Sequence, residues 1–219
     1  MNGISAGLVA LIAAPAGAGP VTDWLIATGA EPREIRHVAR YTPEKPAILG
    51  ADPLTYAPGY PPYDFATVPA GPAEVIALIE PAEGRMALGA LIFSDVAPVC
   101  GDEVGAIWVD SGTAAFLTPV SAAKLAAMAD EYSAGGRNLY DDYFQAPGQM
   151  GDGVFARMLT LPDGTGFPGF SSGWGDGAYP VIRLFDADQR VIAIYADFIG
   201  SDHLDDFILP APCAPLPGT

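Results

Sequence analysis

The sequence predicts a mainly β (α+β) protein, built as antiparallel sheets in a sandwich or partly open barrel with one main helix packed on the sheet. Three observations lead there. Half of the residues are hydrophobic, yet the apolar content falls in short runs broken by 26 glycines and 22 prolines, a composition of short strands and turns. Six of those runs are rich in branched or aromatic residues and bounded by turn formers. Only one stretch carries a complete set of helix signals.

The strand expectations are Glu74–Glu80, Arg85–Ser94, Gly105–Ser111, Val154–Leu161, Ala178–Asp186 and Arg190–Phe198. The last two are separated by "DADQR", Asp186 to Arg190, a return tight enough to imply an antiparallel hairpin. In the final strand, alternation puts Ile192, Ile194, Ala196 and Phe198 on one face and Val191, Ala193, Tyr195 and Asp197 on the other. The helix is "TPVSAAKLAAMADEYSAGG". Thr118 is its N-cap, Pro119 its first residue, and Ser121, Leu125, Met128 and Tyr132 its buried stripe, with Gly135-Gly136 as the stop.

Chain length and segment character divide the sequence into four parts: 1–18 a signal peptide, 19–50 an N-terminal extension, 51–200 a single mainly β domain, and 201–219 a proline-rich C-terminal tail. From Ile4 to Ala18 the chain is uncharged, too short to span a bilayer, and ends in Ala16-Gly17-Ala18, the small-x-small pattern of a cleavage site. Cleavage is expected after Ala18. The n-region lacks Lys and Arg, and an apolar first strand or helix is the alternative. Export makes the expected location periplasmic or secreted.

Ten Lys and Arg stand against 26 Asp and Glu, a formal charge of −16, which repels phosphate backbones and anionic lipid surfaces. Nucleic acid is not an expected partner, nor is a membrane once the signal is removed; the partner is an unknown protein or small ligand. The two cysteines, Cys100 and Cys213, are an even pair in an exporting context and are expected to form a disulfide stapling the tail to the body. Two unrelated thiols are the alternative. No CxxC spacing or neighbouring histidine points to metal, and no cofactor motif is present.

Several segments, taken in order, resemble a known family: "ADPLTYAPGYPPYDFATVPAG", "RMALGALIFSD", "WVDSGTAAFLTP", "SGWGDGAYPV" and "YADF". Over Ala51 to Phe198 the chain resembles the bacterial domain-of-unknown-function family 4241, most specifically at Val109–Phe116 and Ser172–Tyr179. The resemblance implies an architecture and carries no catalytic residues.

"GFSSGWGDGAYPV", Gly169 to Val181, is the stretch that most invites a site. "GFSSG" fits G-x-S-x-G with Ser171 central and Asp197 and His203 following, the order of an α/β-hydrolase. A nucleophile elbow needs a helix directly after the serine, and Gly173, Gly175 and Gly177 would break one. His37 lies in a charged surface segment. His203 stands among Asp202, Asp205 and Asp206, a pattern of a solvated loop as much as of a metal site. Two readings of the loop follow. In one it is a structural turn in which Trp174 plugs the end of the core and Asp176 accepts free backbone N–H groups. In the other, Trp174, Asp176, Tyr179, Asp110 and Asp197 line a ligand pocket. The expected function is a non-enzymatic ligand- or protein-binding module, with a hydrolase or divalent-cation-binding protein using the clustered aspartates as the alternative.

Overall fold

A computed structural model describes residues 19–27, 32–57, 64–145, 149–150, 153–199 and 210–213. The expected signal segment and the His203 cluster lie outside the described residues. Two antiparallel sheets dominate. Sheet A runs β1-β4-β5-β11-β10-β6 and sheet B runs β3-β2-β7-β9-β8. Sheet A comprises β1 (Glu34–Tyr41), β4 (Ala73–Glu80), β5 (Arg85–Ile92), β6 (Cys100–Val109), β10 (Gly177–Phe185) and β11 (Val191–Asp197). Sheet B comprises β2 (Ala47–Ala51), β3 (Ala66–Thr67), β7 (Thr113–Leu117), β8 (Ala156–Thr160) and β9 (Gly166–Ser171). The expected mainly β class, with antiparallel sheets and one main helix, is what the structure has.

The sheets face each other across a core that includes Phe116, Phe170, Tyr179 and Phe198, all at most 1% exposed. Their rings meet edge to face, with Phe116 to Phe170 at 5.9 Å and Tyr179 to Phe198 at 5.5 Å between centroids, a geometry that the ring quadrupoles favour. Each sheet also has a covered outer face. The main helix α2 (Pro119–Ala134) lays Leu125 and Met128 against Leu49, Leu117 and Phe167 of sheet B. A shorter helix, α1 (Pro20–Ala27), sets Val21 and Leu25 against Ile76, Leu78, Leu88 and Tyr195 of sheet A. Strands buried on both faces need no polar alternation, which is why "VIALI" and "MALGALI" read as unbroken apolar runs.

Every expected strand is present, with its ends shifted. β6 starts at Cys100 because a bulge at Gly105, where φ is +141° and the register slips between Val181 and Ile182, lets the strand continue into its charged half. The hairpin joins β10 to β11 through Asp186, whose Oδ1 accepts from the N–H groups of Asp188 and Arg190. The helix begins as its signals imply: Thr118 and Ser121 exchange side-chain to backbone hydrogen bonds in a capping box.

Five further strands (β1, β2, β3, β7 and β9) and α1 were not among the expectations. β1 and β2 both fall in the stretch expected to be an extension, and they belong to the two sheets. β7 is "TAAFL" and β9 is "GFPGFS", of small residues, glycine and proline. Pro168 is tolerated because β9 pairs with β7 only from Gly169 to Ser171, so at Pro168 that side of the strand requires no ladder donor.

At the C-terminal end, the expected disulfide joins Cys100 to Cys213 with Cα atoms 4.9 Å apart. The N–H of Gly101 donates to the carbonyl of Ala211, so residues 210–213 run beside the start of β6. In a chain-entropy model, closing a loop of 113 residues stabilises the fold by about 4 to 5 kcal/mol.

Candidate binding site

The glycine-rich loop between β9 and β10 is held by its own hydroxyls. Ser172 Oγ donates to the carbonyl of Gly175 at 2.6 Å, and Tyr179 Oη donates to the same oxygen at 3.0 Å. Gly173 is wedged between strand ends: a Cβ there would fall 2.4 Å from the carbonyl oxygen of Phe198 and 2.6 Å from that of Met86. Trp174 Nε1 donates to the carbonyl of Ile199 at 3.1 Å, and the Arg85 guanidinium stacks 3.7 Å above the indole, a cation–π contact.

This corrects both halves of the structural-turn expectation. Trp174 is 37% exposed; it roofs Arg85 rather than plugging the core. Asp176 is exposed and accepts no hydrogen bond among the described residues. Tyr179, by contrast, is completely buried between the sheets, where its ring fills the core and only its hydroxyl reaches the loop.

The five residues expected to line a pocket divide. Asp110 and Asp176 come to neighbouring chain ends, because Val109 pairs with Gly177. Asp197 is 6% exposed, lies on the outer face of sheet A beside Tyr195, and its Oδ1 accepts from the N–H of Ile199. Among the described residues, no three Asp, Glu, His or Cys side chains gather closely enough to hold a metal ion. Ser171 Oγ is engaged with the backbone of Phe155, accepting from its N–H at 3.1 Å, and no helix follows it.

A different aspartate organises this end of the molecule. Asp52 is fully buried and satisfied four times: Oδ1 accepts from the Leu54 N–H and the Ser111 hydroxyl, and Oδ2 from the N–H groups of Asp110 and Ser111. It thus performs for the "WVDSG" bend the role expected of Asp176 in its own loop. The signal was legible as "ADP" just before a turn, an aspartate placed to cap the backbone two residues on.

The concavity is elsewhere, on the outer face of sheet A beyond the N-terminal end of α1. It holds about 560 Å³ and is lined chiefly by His37, Arg40, Glu74, Phe93, Ser94 and Asp95. Register explains the gathering. His37 lies opposite Ile76, and Arg40 opposite Glu74, so both share the face that α1 covers further along. A bulge between His37 and Ala39 keeps Arg40 on that face, where strict alternation would have turned it inward. His37 Nδ1 sits 2.5 Å from Glu74 Oε1. With Glu74 so engaged, Arg40 has no carboxylate within ion-pair distance among the described residues. The sequence marks His37 only as part of a charged surface segment, because the bulge conceals the alternation in "EIRHVARY".

A buried ionic group closes the other end of this face. Glu80 lies 3.7 Å from Arg33 Nε and 3.4 Å from Arg85 Nη2, with the Arg33 and Glu80 side chains 2% and 4% exposed. Arg33 Nη1 also donates to the carbonyl of Leu25 in the last turn of α1, a favourable place for a cation. Burial pushes the Tyr195 hydroxyl well above its ordinary pKa, and the charge of Asp197 adds to the shift.

Residues 80–196, more than half of the chain, match the family model described as a protein of unknown function, DUF4241. The chain belongs to that family. The DUF4241 match takes in both motifs, Val109–Phe116 and Ser172–Tyr179, and begins later than the sequence resemblance, leaving residues 51–79 before it. The groove straddles that boundary: Phe93, Ser94 and Asp95 lie inside the match, whereas His37, Arg40 and Glu74 precede it. No curated protein and no solved structure matches the chain.

Proposed function

We propose that the protein is an exported, non-enzymatic binding module, periplasmic or secreted, that takes a carboxylate-bearing ligand in the groove of sheet A. The observation that carries this reading is Arg40, a guanidinium lining a concavity of about 560 Å³ with no carboxylate partner among the described residues. A planar fork of N–H donors matches a carboxylate in geometry as well as charge. Ile92 and Phe93 add apolar lining, and His37 occupies the one carboxylate directly across the strand pair. A rigid sheet supplies the platform, so little ordering cost accompanies binding. The disulfide and the apolar leader support an oxidising destination.

Calorimetric titration of the purified protein with a panel of small mono-, di- and tricarboxylates tests the reading. Binding is expected for at least one member and is expected to weaken about tenfold or more in Arg40→Gln, the scale of one charge-assisted hydrogen-bonded pair. Asp176→Asn, at a distant loop, should bind as the parent does. Binding that survives Arg40→Gln unchanged, or no binding by any member, overturns it.

A further inference from the structure

The first described residue, Gly19, is in contact with Asp95. A Cβ built on Gly19 would fall 1.7 and 1.8 Å from the two carboxylate oxygens of Asp95, so any larger residue would push the exposed end of Asp95 aside. The backbone nitrogen of a residue lies roughly 2.5 Å from its Cβ position. The nitrogen of Gly19 is therefore within about 4 Å of the Asp95 carboxylate, the range of an ion pair were that nitrogen charged. In the uncut chain it is an amide nitrogen and carries no charge. The bond that would charge it is the one after Ala18, which the small-x-small pattern marks for cleavage.

We infer that processing between Ala18 and Gly19 creates a latch: the new terminal ammonium of Gly19 pairs with Asp95 and pins the start of α1 to the rim of the groove. The step is a hydrolysis by a protease of the signal-peptidase class. Water adds across the peptide bond, Ala18 leaves as a carboxylate, and the nitrogen of Gly19 takes up protons to become an ammonium. Asp95 has no hydrogen bond or ion pair among the described residues, and it lines the groove with His37, Arg40 and Glu74. Pairing with the ammonium offsets its negative charge at the mouth. The processed form thus presents Arg40 to an anionic ligand with one fewer competing charge. The latch rests on the export reading for the cut itself, but its geometry does not.

The sign of the pH dependence follows from the pair. A carboxylate partner raises the pKa of the terminal amine above its ordinary value of about 7.7 to 8.0. The stabilisation is then complete below that value and is lost as pH rises through the raised pKa. Asp23, in the first turn of α1, and Glu74 add negative charge nearby. Arg40 adds positive charge, and the His37 ring is already hydrogen-bonded to Glu74.

The test separates latch from export. Intact mass of the full chain recovered from an exporting host reports where processing occurs. Independently, a site for a protease that cuts immediately before glycine is inserted between Ala18 and Gly19 of the full chain, and the protein is melted before and after cutting, with Asp95→Asn as the companion. At pH 6 cutting should raise the Tm of the parent by about 1 to 3 °C more than that of Asp95→Asn, the scale of one solvent-accessible ion pair in a chain of this size. The excess should vanish by about pH 10. An equal response in parent and Asp95→Asn overturns the latch whatever the host does, whereas an unprocessed host product with a normal latch in vitro overturns only the export reading.

Discussion

Asp52 holds Ser111 twice, accepting its backbone N–H at 2.9 Å on Oδ2 and its hydroxyl at 2.8 Å on Oδ1. These contacts, with those to Leu54 and Asp110, tie the end of β2 to the bend between β6 and β7 across nearly sixty residues of chain. A buried carboxylate with four donors is stable where it stands and costly to remove, because each donor would be left without water or partner.

Asp52→Ala should therefore destabilise the fold by about 2 to 4 kcal/mol, and Asp52→Asn by less, since one acceptor oxygen remains. Asp176→Ala, at the exposed loop, should stay within about 0.5 kcal/mol of the parent. Urea unfolding of the three variants measures this, and equal effects of Asp52→Ala and Asp176→Ala would contradict the assignment of Asp52 as the organising acid.

Glu80 is the shared anion of Arg33 and Arg85 beneath the C-terminal turn of α1. Its removal leaves two guanidinium groups close together, one of them buried, and breaking a buried ion pair from one side costs about 3 to 5 kcal/mol. Glu80→Ala is expected in that range by chemical denaturation. It should also loosen α1, read as faster hydrogen exchange at Leu25 and its neighbours. A variant as stable as the parent would show that the cluster contributes nothing net.

Asp163 is held down to a pKa of about 2, chiefly by its hydrogen bond to the Lys124 ammonium, with help from the backbone N–H and the side chain of Thr165. The Lys124–Asp163 ion pair, at 2.8 Å, joins α2 to the turn between β8 and β9. Because the folded pKa lies below the ordinary aspartate value of about 3.9, this contribution is present above that value and is lost as pH falls towards 2. Lys124→Met should return the Asp163 midpoint towards the ordinary range in a carboxyl carbon NMR titration. An unmoved midpoint would assign the depression to Thr165 instead.

Five of the six strands of sheet A, all but β1, together with the capped helix and the disulfide, were legible in the sequence because their causes are local or compositional. Branched runs between turn formers specify β4, β5, β10 and β11. Thr118-Pro119 and Gly135-Gly136 bracket α2, and a chain with two cysteines has a single possible internal pairing. Sheet B was legible only in part. β7 and β9 are strands because both of their faces are covered, so small residues and glycine suffice where close packing leaves no room for more. No local propensity records that. The site was the least legible. The "ADP" turn marks Asp52 as a local cap for the Leu54 N–H, and only the meeting of β2 with the bend after β6 makes it the buried acceptor of Asp110 and Ser111 as well. Arg40 is one charge among many until a bulge in β1 turns it onto the face of His37. Composition and local spacing determined the class, the helix and the pairing of thiols. Which carboxylate is buried, which arginine lines the groove and which backbone nitrogen meets Asp95 were decided by tertiary structure, because each depends on two segments far apart in the chain arriving at one place.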